Sequence, residues 1–441
     1  GSTQAIGLTS APYEYTDTVG QVVRQNRPTF LNAAGDVAGT ADRGSASGSD
    51  TWIWKAGVQA KLINLTGPAY EYTTSQGVTR TSVPLALTAN GSVVGINTRY
   101  DNGQNRGRDV WYSASSQLGQ VINLVGAEYE QSAGNVSLRS GTINSVSATG
   151  HVLGSSSRFG AGAGNDVWVY KTASGTQRVN LAGAGYEYNN GSALMREAEG
   201  AAINSAGAAI GDSTRFSQSG QRLGFDAWYS DPSGNPSRIN LIGPNYEYTG
   251  PSGAIIRSGH AGQINDGNQV LGTSSRFDSA GNGLGTCAWF FDAATGITSP
   301  LEFSFSDTGI CSTFPTLLTN DGVVLGTYNY YDNSNPVTSR VFWWSVEAGE
   351  HDLGTLVAGG LSNAGWQQLA TVFNPTIPGA IGHTSEGTPY YIMGNGLTLD
   401  SSNGETVYML SAIVPEPAAA GLVAFFCFHF LCVRRRPVLH A

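Results

Sequence analysis

Short runs that alternate apolar with small or polar residues, each closed by a Gly, Asn or Asp turn, fill the chain from Ile6 to about Ile413. Alternation at a period of two predicts half-buried strands. The runs recur as a unit. A Gly closing Gly-x-Val-x-Gly or a variant of it stands at Gly39, Gly95, Gly154, Gly211, Gly272, Gly326 and Gly382, at steps of 56, 59, 57, 61, 54 and 56 residues. Seven copies of this length are too long for the rungs of a β-solenoid and suit a four-stranded blade with one long connection. The pattern predicts an all-β, seven-bladed β-propeller over residues 1–413. In the second copy the strands are expected at Pro84 to Thr88, from Val93 to near Arg99, from Asp109 through Trp111, and from Val121 to Leu124. The series Trp52, Trp111, Trp168, Trp228 and Trp289, continued by Phe342, is expected to form core between blades.

The first copy is preceded by Ile6 to Leu8 and Tyr13 to Tyr15, which match the end of a blade. That offset lets an N-terminal strand complete the last blade and remove the exposed edges. The last copy is degenerate, with Tyr390 and Tyr391 where the Trp strand should be. Either Ile6 to Leu8 or Glu405 to Met409 could supply its outer strand.

Composition agrees with many-turned β structure: 59 Gly and only 12% charged residues. The net charge of −9 argues against a nucleic-acid reader, which concentrates Lys and Arg on one face. Gly1 to Ala5 holds neither a charged leader nor an apolar run, so any export signal is expected to lie outside this sequence.

Four polar sets keep register with the copies. One Arg follows the inner Gly (Arg43, Arg99, Arg158, Arg215, Arg276), and an Asp stands two residues before the Trp (Asp50, Asp109, Asp166, Asp226). A Glu lies in each Tyr-Glu-Tyr-like stretch (Glu14, Glu71, Glu130, Glu187, Glu247), with Glu302 a weaker sixth. A second Arg follows that Glu by nine or ten residues (Arg24, Arg80, Arg139, Arg196, Arg257). The first Arg and the Asp flank one hairpin. The Glu and second Arg flank a Gly-containing turn that predicts a small extra hairpin between blades. In a propeller both loops emerge on one face, so the sets are either salt bridges stitching blades together or a polar, aromatic-rimmed surface for a sugar polymer. A constellation built five times is a poor candidate for catalysis.

The fifth and sixth copies break the pattern. Cys287 stands at the fifth Asp position, Cys311 lies near the missing second Arg, and Thr313 also falls near it. A Cys287 to Cys311 disulfide in place of a salt bridge is the expectation, against two unpaired buried thiols. Tyr330 replaces the sixth copy's first Arg and Arg340 its Asp. No two His sit at metal-ligand spacing, and no nucleophile elbow, phosphate loop or paired-Cys zinc motif is present. The oxygen-rich loops at Asp101, Asp278 and Asp332 lack the acidic count of a calcium loop. No cofactor and no metal are expected.

The C-terminus carries Val414, Pro415, Glu416 and Pro417, an apolar run from Ala418 to Val433 expected to be helical, and Arg434, Arg435 and Arg436. This order at the chain end resembles a PEP-CTERM sorting signal, giving a second segment, residues 414–441. The resemblance implies an exported bacterial protein, held transiently in the inner membrane by the tail, processed by an exosortase near Pro415 to Pro417, and destined for the cell surface or extracellular matrix. A basic stop retained inside agrees with a β domain outside the cytoplasm. The repeats also resemble HAF-type extracellular repeats, with Asn32, Asn204 and Asn265 at the family's Asn, which supports a propeller and implies no activity.

The expected function is thus a non-catalytic structural or binding component of the envelope or matrix, with polysaccharide or a second copy of itself as partner. The alternative is a secreted polysaccharide lyase or hydrolase with its site at the central channel. That would need carboxylates or a His that break the repeat, and Asp321, His383 and Glu386 are of that kind.

Overall fold

The chain is all-β, and the one helical element among the described residues is a 3-10 turn at Leu353–Leu356. The computed structural model describes residues 4–9, 11–44, 48–114, 116–159, 162–189, 191, 193–333, 335–371, 381–382, 389–399, 405–413 and 429–430. The chain divides into two compact units, residues 1–239 with 260–266, and residues 240–259 with 267–441.

Four antiparallel meanders follow one another in the first unit. The second of them runs Gly77–Leu87, Val93–Asp101, Gln104–Ser113 and Gln120–Val121, paired in chain order. Before it come Asn26–Leu31, Val37–Asp42, Gly48–Trp54 and Lys61–Leu62. After it come Arg139–Val146, Val152–Ser157, Gly162–Lys171 and Gly175–Arg178, then Ala198–Ile203, Ala209–Phe216, Arg222–Ser230 and Pro236–Arg238. The inner three strands are longer than the apolar runs suggest, because each continues into a polar arm. The fourth is shorter. Its Asn supplies a ladder rung from the side chain instead: Val110 N–H donates to Asn123 Oδ1 at 2.7 Å, as Thr51 does to Asn64 and Val167 to Asn180.

In the second unit, Gln269–Phe277, Gly283–Asp292 and Ile297–Leu301 pair in order, followed by Cys311–Leu318, Val324–Asp332, Asn335–Ser345 and Gly349–Asp352. In the last copy Pro389–Thr398 pairs with Trp366–Leu369 and Ile381–Gly382 along one edge and with Glu405–Ile413 along the other. Glu405–Ile413, not Ile6 to Leu8, is therefore its outer neighbour. Ile6 to Leu8 packs on Trp52 of the first copy, where Leu8 and Asn26 exchange two hydrogen bonds. The sorting residues Val414, Pro415, Glu416, Pro417 and Arg434 to Arg436 lie outside the described residues. Of the apolar run expected to be helical, His429 and Phe430 are described, and they are extended, pairing with Ser411 and Leu410. No helix among the described residues is long and apolar enough to cross a membrane.

The inner Gly has a packing cause. Gly39, Gly95, Gly154, Gly211, Gly272 and Gly326 each stand opposite the Trp or Phe of the third strand. A Cβ on Gly95 would lie 2.3 Å from Trp111 Cζ2 and 2.5 Å from the Val83 carbonyl oxygen. The aromatic ring thus covers the neighbouring strand's Gly and reaches the preceding meander. Trp111 packs with Ile53 and Ile63 of the first meander, Trp168 with Val110 and Ile122 of the second, and Trp228 with Val167 and Val179 of the third. In the second unit Phe342 packs with Ala288 and Phe290. Each core therefore lies between consecutive sheets and holds them together by apolar burial.

A second tie joins consecutive sheets. The third strand of one meander pairs in parallel with the first of the next at Gly48 and Arg80, Gly107 and Arg139, and Gly164 and Arg196 in the first unit, and at Gly285 and Cys311 in the second.

Candidate functional site

The repeated polar residues converge just above these parallel ties. Two residues beyond each tie glycine of the first unit the Asp is buried with no exposed surface, at Asp50, Asp109 and Asp166, and Asp226 of the fourth meander is buried alike. Asp166 accepts from Arg158 Nη1 at 2.8 Å, Arg196 Nη1 at 2.8 Å, Tyr129 OH at 2.8 Å and Asn180 Nδ2 at 3.0 Å. Asp109 accepts in the same way from Arg99, Arg139, Tyr70 and Asn123 at 2.6 to 3.1 Å. Asp50 accepts from Arg43, Arg80, Tyr13 and Asn64. At Asp226, Tyr186 donates at 2.7 Å and Arg215 lies at 3.4 Å.

The second Arg also reaches the Glu across the small extra hairpin: Arg80 to Glu71, Arg139 to Glu130 at 3.1 Å, Arg196 to Glu187 and, in the second unit, Arg257 to Glu247 at 3.1 Å. Each complete cluster in the first unit thus sets an Asp and a Glu against two guanidiniums, so the buried charges balance, and in the third the exposed Glu128 adds a contact to Arg158 at 3.2 Å. Arg24 and Glu14 form the same hairpin pair at 2.6 Å, but with no Asp behind it Arg24 stays half exposed.

Burial alone would raise the Asp166 carboxyl, but the Arg196 hydrogen bond and charge, then Arg158 and Tyr129, outweigh it and hold the group below its ordinary range. Arg196 is raised in turn, since bonds to Asp166 and Glu187 outweigh its own burial. Burial, then the Asp charge, pushes the Tyr13, Tyr70 and Tyr129 hydroxyls up. Every one of these groups is held in a single protonation state near neutrality and its acceptors are occupied. The arrangement stabilises structure and offers no acid, base or nucleophile.

The two irregular copies keep the carboxylate but move it to the outer strand. In the fifth, Glu302 accepts from Tyr246 OH at 2.6 Å and Arg276 at 3.2 Å. In the sixth, Asp352 takes the role, 3.0 Å from Tyr328 OH and 3.1 Å from Arg340, whose guanidinium stacks 4.0 Å over Tyr330. Cys311, rather than Thr313, occupies the register of the second Arg, opposite Gly285. In place of the expected disulfide, Cys287 and Cys311 are two fully buried free thiols in electrostatic contact. That contact, then burial, pushes the Cys287 thiol up.

No known family profile matches the chain, and no curated protein matches it. Among solved structures, the β-propeller domain of the Trilobed protease from Pyrococcus furiosus is similar at 9% identity and a TM-score of 0.31, over 88% of this chain and 92% of that one. Porphyromonas gingivalis dipeptidyl peptidase 4 is similar at 10% identity and a TM-score of 0.38, over 89% of this chain and 58% of that one. The Hadza microbial sialidase Hz136 is similar at 9% identity and a TM-score of 0.27, over 70% and 65%.

The Tyr of each Tyr-Glu-Tyr-like stretch was expected in the clusters, and Tyr13, Tyr70, Tyr129 and Tyr186 do join them. Sequence reasoning missed the Asn of each Ile-Asn-Leu or Val-Asn-Leu run, which recurs as regularly as the Arg and Asp do, so the signal was present. Of the remaining candidates, Asp321 sits in an exposed turn accepting from Thr319, and His383 and Glu386 lie outside the described residues. Asp278 accepts from backbone N–H groups of its own turn, and Asp101 binds Arg106 and the Asn135 N–H. No group of metal-ligating side chains occurs among the described residues.

Proposed function

We propose that this chain is an exported, seven-bladed β-propeller that serves as a non-catalytic structural or binding component of the cell surface or extracellular matrix. The observation that supports this reading best is that the repeated polar residues are consumed internally, in buried and charge-balanced clusters between stacked four-stranded meanders. A chain whose recurrent chemistry is spent on joining its sheets is built as a scaffold. The tail after Ile413 acts as its sorting signal, recognised by an exosortase-type enzyme. Fractionation of the producing bacterium tests this: the protein is expected in the surface or matrix fraction, and exchange of Pro415 and Glu416 for Ala is expected to retain it with the inner membrane. Recovery of the unaltered protein in the cytosol would refute the reading.

Export carries a consequence for Cys287 and Cys311. In an oxidising compartment the two thiols are expected to pass two electrons and two protons to a protein disulfide oxidant and form one bond. Closing that loop contributes about 3.5 kcal/mol on the chain-entropy estimate. Protein purified from the envelope should gain two alkylatable thiols only after reduction, and its urea midpoint should fall on reduction. Two free thiols before reduction would show that the pair stays reduced.

A further inference from the structure

The clusters of the first three copies are alike, whereas two other positions in the same strands vary widely in chemistry from copy to copy. The residue twelve before the inner Gly faces out from the first strand, and it is Arg27, Val83, Thr142, Glu199, His260 and Phe314 in turn. The residue just after that Gly is Thr40, Ile96, Ser155, Asp212, Thr273 and Thr327. Repeats that fold alike do not need these positions for folding, so their divergence leaves them open to a different use.

In the first unit several of them line one cavity of about 600 Å³. Its walls are hydroxyls and amides from the third meander, including Thr142, Ser155 and Asn165, and its far side carries Glu197, Glu199, Asp212 and His260. His260 Nδ1 lies 2.7 Å from Asp212 Oδ2, and the Phe225 ring packs 5.2 Å from the imidazole with more than a third of its surface exposed. Charges are paired at Glu197, which binds Arg222 at 2.7 Å, and at Asp212 through His260. Glu199 is exposed and has no ion-pair partner among the described residues. None of these groups belongs to the repeated clusters.

We infer that this cavity is a binding site for a glycan segment containing amino sugars. An exposed aromatic face packs against the C–H face of a pyranose, the hydroxyl and amide wall exchanges hydrogen bonds with ring hydroxyls, and Glu199 receives a sugar ammonium. The same carboxylate, with its paired neighbours Glu197 and Asp212 leaving no free cation beside it among the described residues, disfavours uronic acids and sulfated sugars. The inference rests on the reading of the chain as a surface or matrix binding component, and it moves the binding function from the repeated Arg and Tyr residues to positions that the repeat leaves free.

The test is calorimetric titration of the full chain, under mildly acidic conditions that keep sugar amines protonated, with glucosamine hexamer, N-acetylglucosamine hexamer and oligogalacturonate. The glucosamine hexamer is expected to bind at least about ten-fold more tightly than its acetylated form, which corresponds to about 1.4 kcal/mol, and oligogalacturonate not at all. E199Q and F225A should each weaken binding about ten-fold or more, while V83A, at the same position in another copy, leaves it unchanged. Circular dichroism and the unfolding midpoint verify that the variants fold. Binding accompanied by hydrolysis would keep the site and make it catalytic. Equal binding of the acetylated or acidic oligomer, insensitivity to E199Q and F225A, or no binding of any probe would overturn the inference. Those results leave surface sorting standing, and a cytosolic location in the fractionation leaves the cavity standing, so the two readings fail separately.

Discussion

Asp166→Ala is expected to destabilise the chain by about 3–5 kcal/mol, the usual cost of removing one partner from a buried ion pair. The loss is large because of what stays behind. Arg158 and Arg196 keep side chains that are 1% and 5% exposed, and both lose their fully buried carboxylate, keeping only the wetter Glu128 and Glu187. Tyr129 and Asn180 lose their acceptor as well. Glu187→Gln, at the wetter end of the same cluster, should cost only about 1 kcal/mol, as partly exposed pairs do. Urea unfolding of the two variants measures both, and an Asp166→Ala effect under about 1 kcal/mol would show that the cluster is not what holds the sheets. The pH dependence has a definite sign. Asp166 is depressed in the folded chain, so its contribution is complete above its unfolded value near 3.8 and is lost as pH falls below that. The stability gap between wild type and Asp166→Ala should therefore be constant near neutrality and narrow below about pH 4.

The meanders were legible in the sequence because three signals with physical causes coincide in the first six copies: the Gly under the aromatic ring, the alternating strand that carries that ring, and a Gly-containing turn between the first two strands. The pairing of Arg with Asp across one hairpin and of Glu with Arg across another was legible for the same reason, since both partners lie close in sequence. Burial was not. Whether Asp109 faces water or the next sheet depends on where the following strand docks, and periodicity within one copy does not encode that. The outer strand was overcalled because Asn123 looks like a strand residue while its side chain, not its backbone, completes the ladder. The cavity was invisible for a different reason. Glu199, Asp212 and His260 look like irregular substitutions in separate strands until the strands are laid side by side, whereas Asp321, His383 and Glu386 break the repeat more visibly.

The glycine that begins each parallel tie was overlooked in the sequence although it recurs two residues before the Asp, at Gly48, Gly107 and Gly164, and before Cys287 as Gly285. Gly164→Ala is expected to cost about 4 kcal/mol, from an unfavourable left-handed backbone and from overpacking. Its φ is +91°, and a Cβ there would lie 2.0 Å from the Arg196 carbonyl oxygen, which is backbone and cannot rotate away. Gly175→Ala is the control, with φ at +76° and nothing within 4 Å of the added carbon, and should cost only about 1–2 kcal/mol for the backbone alone. The difference between the two isolates the close approach. Moving the Arg196 strand outward also draws its guanidinium away from Asp166, so the effects of Gly164→Ala and Asp166→Ala should overlap. The double variant is then expected to lose less than the sum of the singles by about 1–2 kcal/mol. Strict additivity in urea unfolding would mean that the glycine tie and the buried cluster hold the sheets independently, and that the register of the parallel pair does not position the charges.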